Sequence, residues 1–404
     1  MEKSLPEPER SKFKELPFTA DLFLKDNQSP EAQNNIRRAL EAKSLHARIV
    51  VDVCSDARSA AEPLFDTMGP QVASLNSVAG SAPIERTAYV LNHEGVGQIF
   101  VLSHFDSQAL TPDESPEGCG GRTVKKHLSH GSVSEEERDL PIMKYVDSNV
   151  ISSDVFLQPW ERAKLIAKYA PDKHILVGTV DHRTGLIIPM GYVWAGGKGA
   201  YTSVPLHDIR DTKLMYPDGY PQSLKLEEIP EIFRPALIDN QNKVKRKLKE
   251  DPTFREKMGT QRPCFVVVRD SIIGARLRYP NLMGGMNKAF SIFAPYHKER
   301  NINGGVYITR TQEDLETVLS QLQYPIIEGL KAKPGEAFDQ TSVVVFESNL
   351  FYLAKELADA AMDEEWFKAW YRQKKDGKPR DIFVGVVRSG RTTAMYNYEE
   401  LLKQ

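Results

Sequence analysis

The sequence predicts an α/β protein in which a central, mostly parallel sheet is flanked by helices and is built twice within one chain. Three observations predict it. Apolar runs of strand length alternate with segments of helical length, in the order strand, helix, strand. The 404 residues exceed what one ordinary core organises. Four segments of the first half recur, in the same order, in the second.

Taken in order, residues 1–28 form an N-terminal arm. Its opening, MEKSLPEPERSKFKELPF, is charged and Pro-broken, without the apolar stretch of a secretory signal. Residues 29–44 read as a helix, with Ser29 as N-cap and Pro30 at the first helical position. RIVVDVC (48–54) reads as a buried strand. Residues 86–94 read as a helix that Gly95 stops. QIFVLSH (98–104) is a second buried strand, and the helix between the two strands implies that they run parallel. Residues 105–150 are polar and loop-rich, and their acidic run Glu135–Glu137 is a solvated face. WERAKLIAKYA (160–170) reads as a helix, and residues 174–193 as a hairpin turning near Arg183-Thr184-Gly185. Dense Gly and Pro over 195–235 mark a boundary. The expected division is a first domain over 29–200, a linker over 201–239 and a second domain over 240–404.

The second half repeats the pattern. A helix at 240–250 precedes QRPCFVVVRDS as 29–44 precedes RIVVDVCSD. LRYPNLMGGMNKAFS (277–291) parallels EPLFDTMGPQVASLN (62–76). A helix at 311–322 precedes SVVVFESN (342–349) as 86–94 precedes QIFVLSH, and DIFVGVVRSGRTTAMYNY parallels HILVGTVDHRTGLIIPMGY.

Composition narrows the function. A net charge of −2 gives no electrostatic basis for binding nucleic acid or an anionic membrane. No apolar run reaches the length of a membrane span. Three cysteines, Cys54, Cys119 and Cys264, make no disulfide framework, and a reducing, cytoplasmic setting is expected.

The chemistry gathers where strands end. Cys54, Asp56 and Arg58 sit at alternate positions, so an extended chain presents all three on one side. Ligands of parallel α/β sheets collect at the carboxyl ends of strands. Cys54 and His104 both stand there. Cys119 lies in Gly118-Cys119-Gly120-Gly121, where backbone freedom lets a thiol turn inward. Two thiolates and an imidazole leave one tetrahedral position of a zinc ion open, as catalytic zinc requires. His127 and His130 offer a rival pair for Cys119, and Asp56 with Arg58 also suits a purely structural ion pair.

These residues carry a resemblance. C-S-D-A-R resembles the C-x-D-x-R signature of the β-class carbonic anhydrases. Asn76 in SLNSVAG, the strand ending in His104, and HILVGTVDHRTGLI are similar to later segments of that family. The resemblance covers residues 29–195 directly and the second half as a degenerate copy. It implies the β-carbonic-anhydrase fold, a zinc ion held by Cys54, His104 and Cys119, and an Asp56–Arg58 dyad beside the metal. Two departures stand out. The family's H-x2-C-G spacing is lost, with Ser107 third after His104 and fourteen residues between His104 and Cys119. Leu75 stands where the family often has Arg.

In the second half, RDSII around Asp270 replaces VCSDA, and Phe346-Glu347-Ser348 replaces Leu102-Ser103-His104. His297 is the only histidine beyond residue 207. That half therefore lacks the ligand set. Yet FREKMGTQRPCFVVV (254–268) resembles the family's run before the zinc strand, with Gln261 where the first copy has Leu45. In the family's dimer that glutamine reaches the partner's site. The resemblance thus implies a fused pseudo-dimer with one working site, as in the carboxysomal branch, where a zinc half pairs with a defunct half.

The implied activity is zinc-dependent reversible hydration of carbon dioxide to bicarbonate. Hydroxide generated at the metal is the nucleophile, Asp56 accepts its proton, Arg58 orients Asp56, and Gln261 bonds substrate oxygen. Hydrolysis of carbon disulfide or carbonyl sulfide at the same site, and a non-catalytic zinc-binding scaffold, are the alternatives. The expected partners are the small-molecule substrate and, beyond the pseudo-dimer, further copies of the chain.

Overall fold

A computed structural model describes residues 19–44, 49–54, 64–65, 68, 72–93, 96–105, 139–151, 157–181, 184–194, 200–203, 224–252, 265–269, 275–284, 306–309, 315–331, 343–373 and 380–403. Its strands form two sheets. The first contains β1 (Ile49–Cys54), β2 (Val72–Ser77), β3 (Gln98–Phe105), β4 (His174–Asp181), β5 (Leu186–Trp194) and β6 (Ala200–Ser203), in the order β2-β1-β3-β4-β5-β6. The second contains β7 (Phe265–Arg269), β8 (Val306–Thr309), β9 (Val343–Ser348), β10 (Asp381–Arg388) and β11 (Arg391–Asn397), in the order β11-β10-β9-β7-β8. Read from β2 and from β8, both sheets run parallel across three pairings and close with an antiparallel hairpin. The fold is thus α/β with mostly parallel sheets flanked by helices. β6, which extends only the first sheet, was not anticipated from the sequence.

The parallel strands are near-continuous apolar runs because both faces are covered. On one face of the first sheet, Val50, Ile99, Val101, Ile175 and Val177 pack against Leu91 of α3 (Ile84–His93) and against Trp160, Ala163 and Ile166 of α5 (Leu157–Tyr169). The same face of the second sheet buries Val268, Val344, Phe346 and Val384. Its cover is α7 (Leu315–Lys331), α8 (Phe351–Asp363) and α9 (Glu365–Arg372), through Leu322, Leu357, Phe367 and Trp370.

On the opposite faces the halves exchange helices. α6 (Arg234–Glu250), which opens the second half, lays Ala236 and Leu237 against Val51, Val53, Phe100 and Leu102 of the first sheet. α1 (Ala20–Asn27), in the N-terminal arm, lays Phe23 against Tyr279, Val343, Val345 and Phe383 of the second half. The Phe23 ring meets Tyr279 edge-on at 5.4 Å. Between these docking points α2 (Pro30–Ser44) starts as the sequence predicts, with the Ser29 hydroxyl accepting from Ala32 N at 3.2 Å.

Each exchanged helix carries an Asp-Asn pair, at the end of α1 and within α6. Asn27 Nδ2 donates to the carbonyls of Arg278 (3.2 Å) and Gly390 (3.4 Å), while its Oδ1 accepts from Thr392 N (2.9 Å). Asn240 Nδ2 donates to the carbonyls of Leu64 (2.7 Å) and Gly185 (2.8 Å), while its Oδ1 accepts from Ile187 N (2.9 Å). Both glycines sit in hairpin turns at left-handed φ, +75° and +76°. Asp26 accepts from Asn281 N and Leu282 N, and Asp239 accepts from Met68 N. The halves also meet where β2 lies against β8, and where Gln323 Oε1 of α7 accepts from Ile142 N of α4 (Pro141–Asn149) at 2.9 Å.

These bonds correct two equivalences drawn from sequence. Arg278 and Leu282 correspond to Leu64 and Met68, one residue away from the alignment of 277–291 on 62–76. Likewise Leu102 pairs with Gly178 and Glu347 with Gly385, so Glu347 stands at the position of Leu102 and Asn349 at that of His104. Apolar strand patterns repeat every second residue and fix such registers poorly; the hydrogen-bond ladder fixes them. The sequence also did not disclose the helix α1.

Candidate metal centre

β1 and β3 end side by side. Val53 pairs with Leu102, so Cys54, the last residue of β1, lies next to Ser103 and His104. Both candidate ligands are buried, Cys54 at 4% and His104 at 2% exposure. Alternation sends them to different faces. Cys54 continues the row of Val50 and Asp52, and His104 the row of Phe100 and Leu102. An ion shared by the two therefore has to sit beyond the strand ends. Asp56, Arg58, Cys119 and Gln261 lie outside the described residues, as do Ser107, His127, His130, Asp270 and His297. Among the described residues no group of three His, Cys, Asp or Glu side chains gathers as a metal site.

The segment after β2 wraps Cys54. Asn76 Nδ2 donates to Cys54 O at 3.4 Å. Val78 and Ala79, in a short 3₁₀ turn at Val78–Gly80, pack with Cys54 and with Ile142, Met143 and Val146 of α4. Gly80 comes so close that a Cβ there would lie 3.3 Å from Cys54 N and 3.2 Å from Leu102 O. Tyr145 OH donates to Ser81 O at 2.9 Å and pins the end of the turn under α4.

The donor chemistry suits zinc: a thiol and an imidazole, both buried at neighbouring strand ends. Ser77 adds a second observation. It pairs with Cys54 in register, is fully buried, and its hydroxyl has no hydrogen-bond partner among the described residues. Such an orphan beside a thiol marks a place built for polar chemistry.

Two polar residues here escaped the sequence reading. Arg162 of α5 donates through Nε to Asp52 of β1, and through Nη2 to Ala82 O (2.6 Å) and Thr87 Oγ1 (3.0 Å). Asp52 is fully buried and Arg162 is 1% exposed. The signal was present: an aspartate inside the apolar run RIVVDVC requires a buried partner.

No family model matches the chain, and no curated protein matches it. Among solved structures, the chain is similar to a protein described in work on two tetrameric β-carbonic anhydrases from the filamentous ascomycete Sordaria macrospora. The identity is 17%, the TM-score 0.22, and the match covers 38% of this chain and 82% of the other.

Proposed function

We propose that the chain is a zinc-dependent carbonic anhydrase of β-class type that reversibly hydrates carbon dioxide to bicarbonate. The observation that carries this reading is the burial of Cys54 and His104 at the carboxyl ends of adjacent parallel strands, with C-S-D-A-R opening at Cys54. Cys54, His104 and Cys119 would hold the metal. When bound, zinc supplies the Lewis acidity that makes a hydroxide nucleophile from water near neutral pH. Asp56 would accept a hydrogen bond from the O–H of the nucleophile and so keep a lone pair turned to carbon dioxide. Arg58 keeps Asp56 ionised and oriented. Gln261 donates its amide to a substrate oxygen.

We further infer that the chain is an internally duplicated pseudo-dimer with one working site. The support is the shared strand order of the two sheets and the matching bonds of Asn27 and Asn240 across the halves. The sequence supplies the asymmetry, since only the first half carries the ligand set.

The test combines metal analysis with stopped-flow carbon dioxide hydration. The expected result is about one zinc per chain and turnover that rises on the alkaline side of neutrality. Asp56→Asn should keep the zinc and lose most of the turnover. A metal-free chain, or a zinc-loaded chain without hydration activity, overturns the reading.

A further inference from the structure

We infer that Arg162 is the positioning residue of the Cys54 site, acting through a buried clamp with Asp52. The inference rests on the proposed zinc function and adds to it a residue outside the expected ligand set and dyad.

The clamp joins three pieces of chain. Asp52 lies two residues before Cys54 on the same strand and, by alternation, on the same face. Ala82 closes the segment that wraps Cys54, running through Asn76, Ser77 and the Val78–Gly80 turn. Thr87 belongs to α3, which follows directly. One guanidinium bonds all three, its planar fork spanning separate acceptors as a lysine ammonium does not. With Arg162 in place, the wrapping segment is fastened to the strand that ends in Cys54. Without it, Asp52 keeps a buried charge, and Ala82 O and Thr87 Oγ1 each lose a bond.

The second half shows that the fold does not need this clamp. Asp52 pairs with Val101, and Val268 pairs with Phe346 at the corresponding register. Val268 is fully buried among Val344, Phe346 and Phe367. The same strand in the same topology is thus content with an apolar residue in the half without the ligands. The ion pair accompanies the candidate site rather than the architecture. Buried ion pairs are commonly replaced by packed apolar groups without loss of stability, so this pair can be exchanged for an apolar one while the fold is kept.

The experiment measures zinc affinity of the full chain by competition with a chromophoric chelator, well below the unfolding temperature, with circular dichroism and urea unfolding alongside. The Asp52→Val, Arg162→Met double variant copies the apolar solution of the second half. It should fold with a urea midpoint close to wild type and bind zinc about tenfold or more weakly, the range seen when groups supporting metal ligands are removed. A folded double variant with wild-type zinc affinity overturns the inference and leaves the proposed function standing. If that variant does not fold, Arg162→Lys carries the test, because its one ammonium nitrogen cannot stand both where Nε meets Asp52 and where Nη2 meets Ala82 O and Thr87 Oγ1. The same weakening is expected, and unchanged affinity refutes the positioning role. A wild-type chain that binds no zinc refutes instead the function on which the inference rests.

Discussion

Asn240 does for the first half what Asn27 does for the second: each amide donates to two carbonyls and accepts one backbone N–H on the half to which its helix docks. Both side chains are buried, at 0% and 2% exposure. Replacing either by Ala leaves two carbonyls and one N–H without partners in the interior. Each orphan costs about 1–3 kcal/mol, so Asn240→Ala and Asn27→Ala should each lose on the order of 3 kcal/mol of stability. Urea unfolding measures it. A loss below about 1 kcal/mol would show that helix docking does not depend on these amides.

The pair also marks where sequence reading stops. The strands were legible because a sheet covered on both faces requires unbroken apolar runs, as in HILVGTVD and SVVVFESN. Cys54 and His104 were legible because they interrupt such runs at the end where ligands gather. The bond from Asn27 to Gly390 joins residues 363 apart, and nothing local in ADLFLKDN announces it. That eight-residue helix is too short to persist alone and owes its existence to Phe23 entering the second core. Arg162 was missed for the same reason, since its partner Asp52 lies 110 residues away.

Asp26 should give the helix exchange a pH dependence. Burial pushes its carboxyl up to about 6 from 3.8, against the lowering effect of its bonds from Leu282 N and Asn281. A carboxyl raised in the folded state contributes stability that is full below its unfolded value and lost as pH rises through its folded value. The window is therefore about pH 4 to 6, and the total is on the order of 3 kcal/mol. Denaturation of wild type and Asp26→Asn across that window should show wild type losing stability relative to the variant as pH rises. Parallel profiles would remove Asp26 as the source.

A buried polar quartet in the second half replaces an apolar one in the first. Arg278, Tyr279, Glu347 and Thr392 stand where Leu64, Phe65, Leu102 and Ile187 stand. Arg278 donates to both oxygens of Glu347, Tyr279 OH donates to Glu347 Oε1 at 2.6 Å, and the Tyr279 and Thr392 hydroxyls share a bond of 2.7 Å. Removing one member strands the rest, so Glu347→Leu alone should cost about 3–5 kcal/mol. Changing all four together, Arg278→Leu, Tyr279→Phe, Glu347→Leu and Thr392→Ile, should fall within about 2 kcal/mol of wild type or exceed it. Urea unfolding of the single and quadruple variants decides. Equal losses in both would mean that the quartet is not a self-contained unit.

Gly80 sets how closely the wrapping segment approaches the candidate metal centre. Its φ is +60°, and an added Cβ would lie 3.2–3.3 Å from Leu102 O, Cys54 N and Val53 C. All three are backbone atoms of β1 and β3, held by ladder bonds on both sides, so they cannot yield as a side-chain tip does. The left-handed conformation adds roughly 1–2 kcal/mol for an L-residue. Gly80→Ala should therefore cost about 2–3 kcal/mol in total. The relief available is for the Val78–Gly80 turn to lift away from the strand ends, carrying Ala79 and Val78 off Cys54. The variant should then also bind zinc more weakly than wild type in the chelator competition, by an amount that its remaining stability does not explain. A Gly80→Ala protein with unchanged stability and zinc affinity would place the turn farther from Cys54 than these contacts allow.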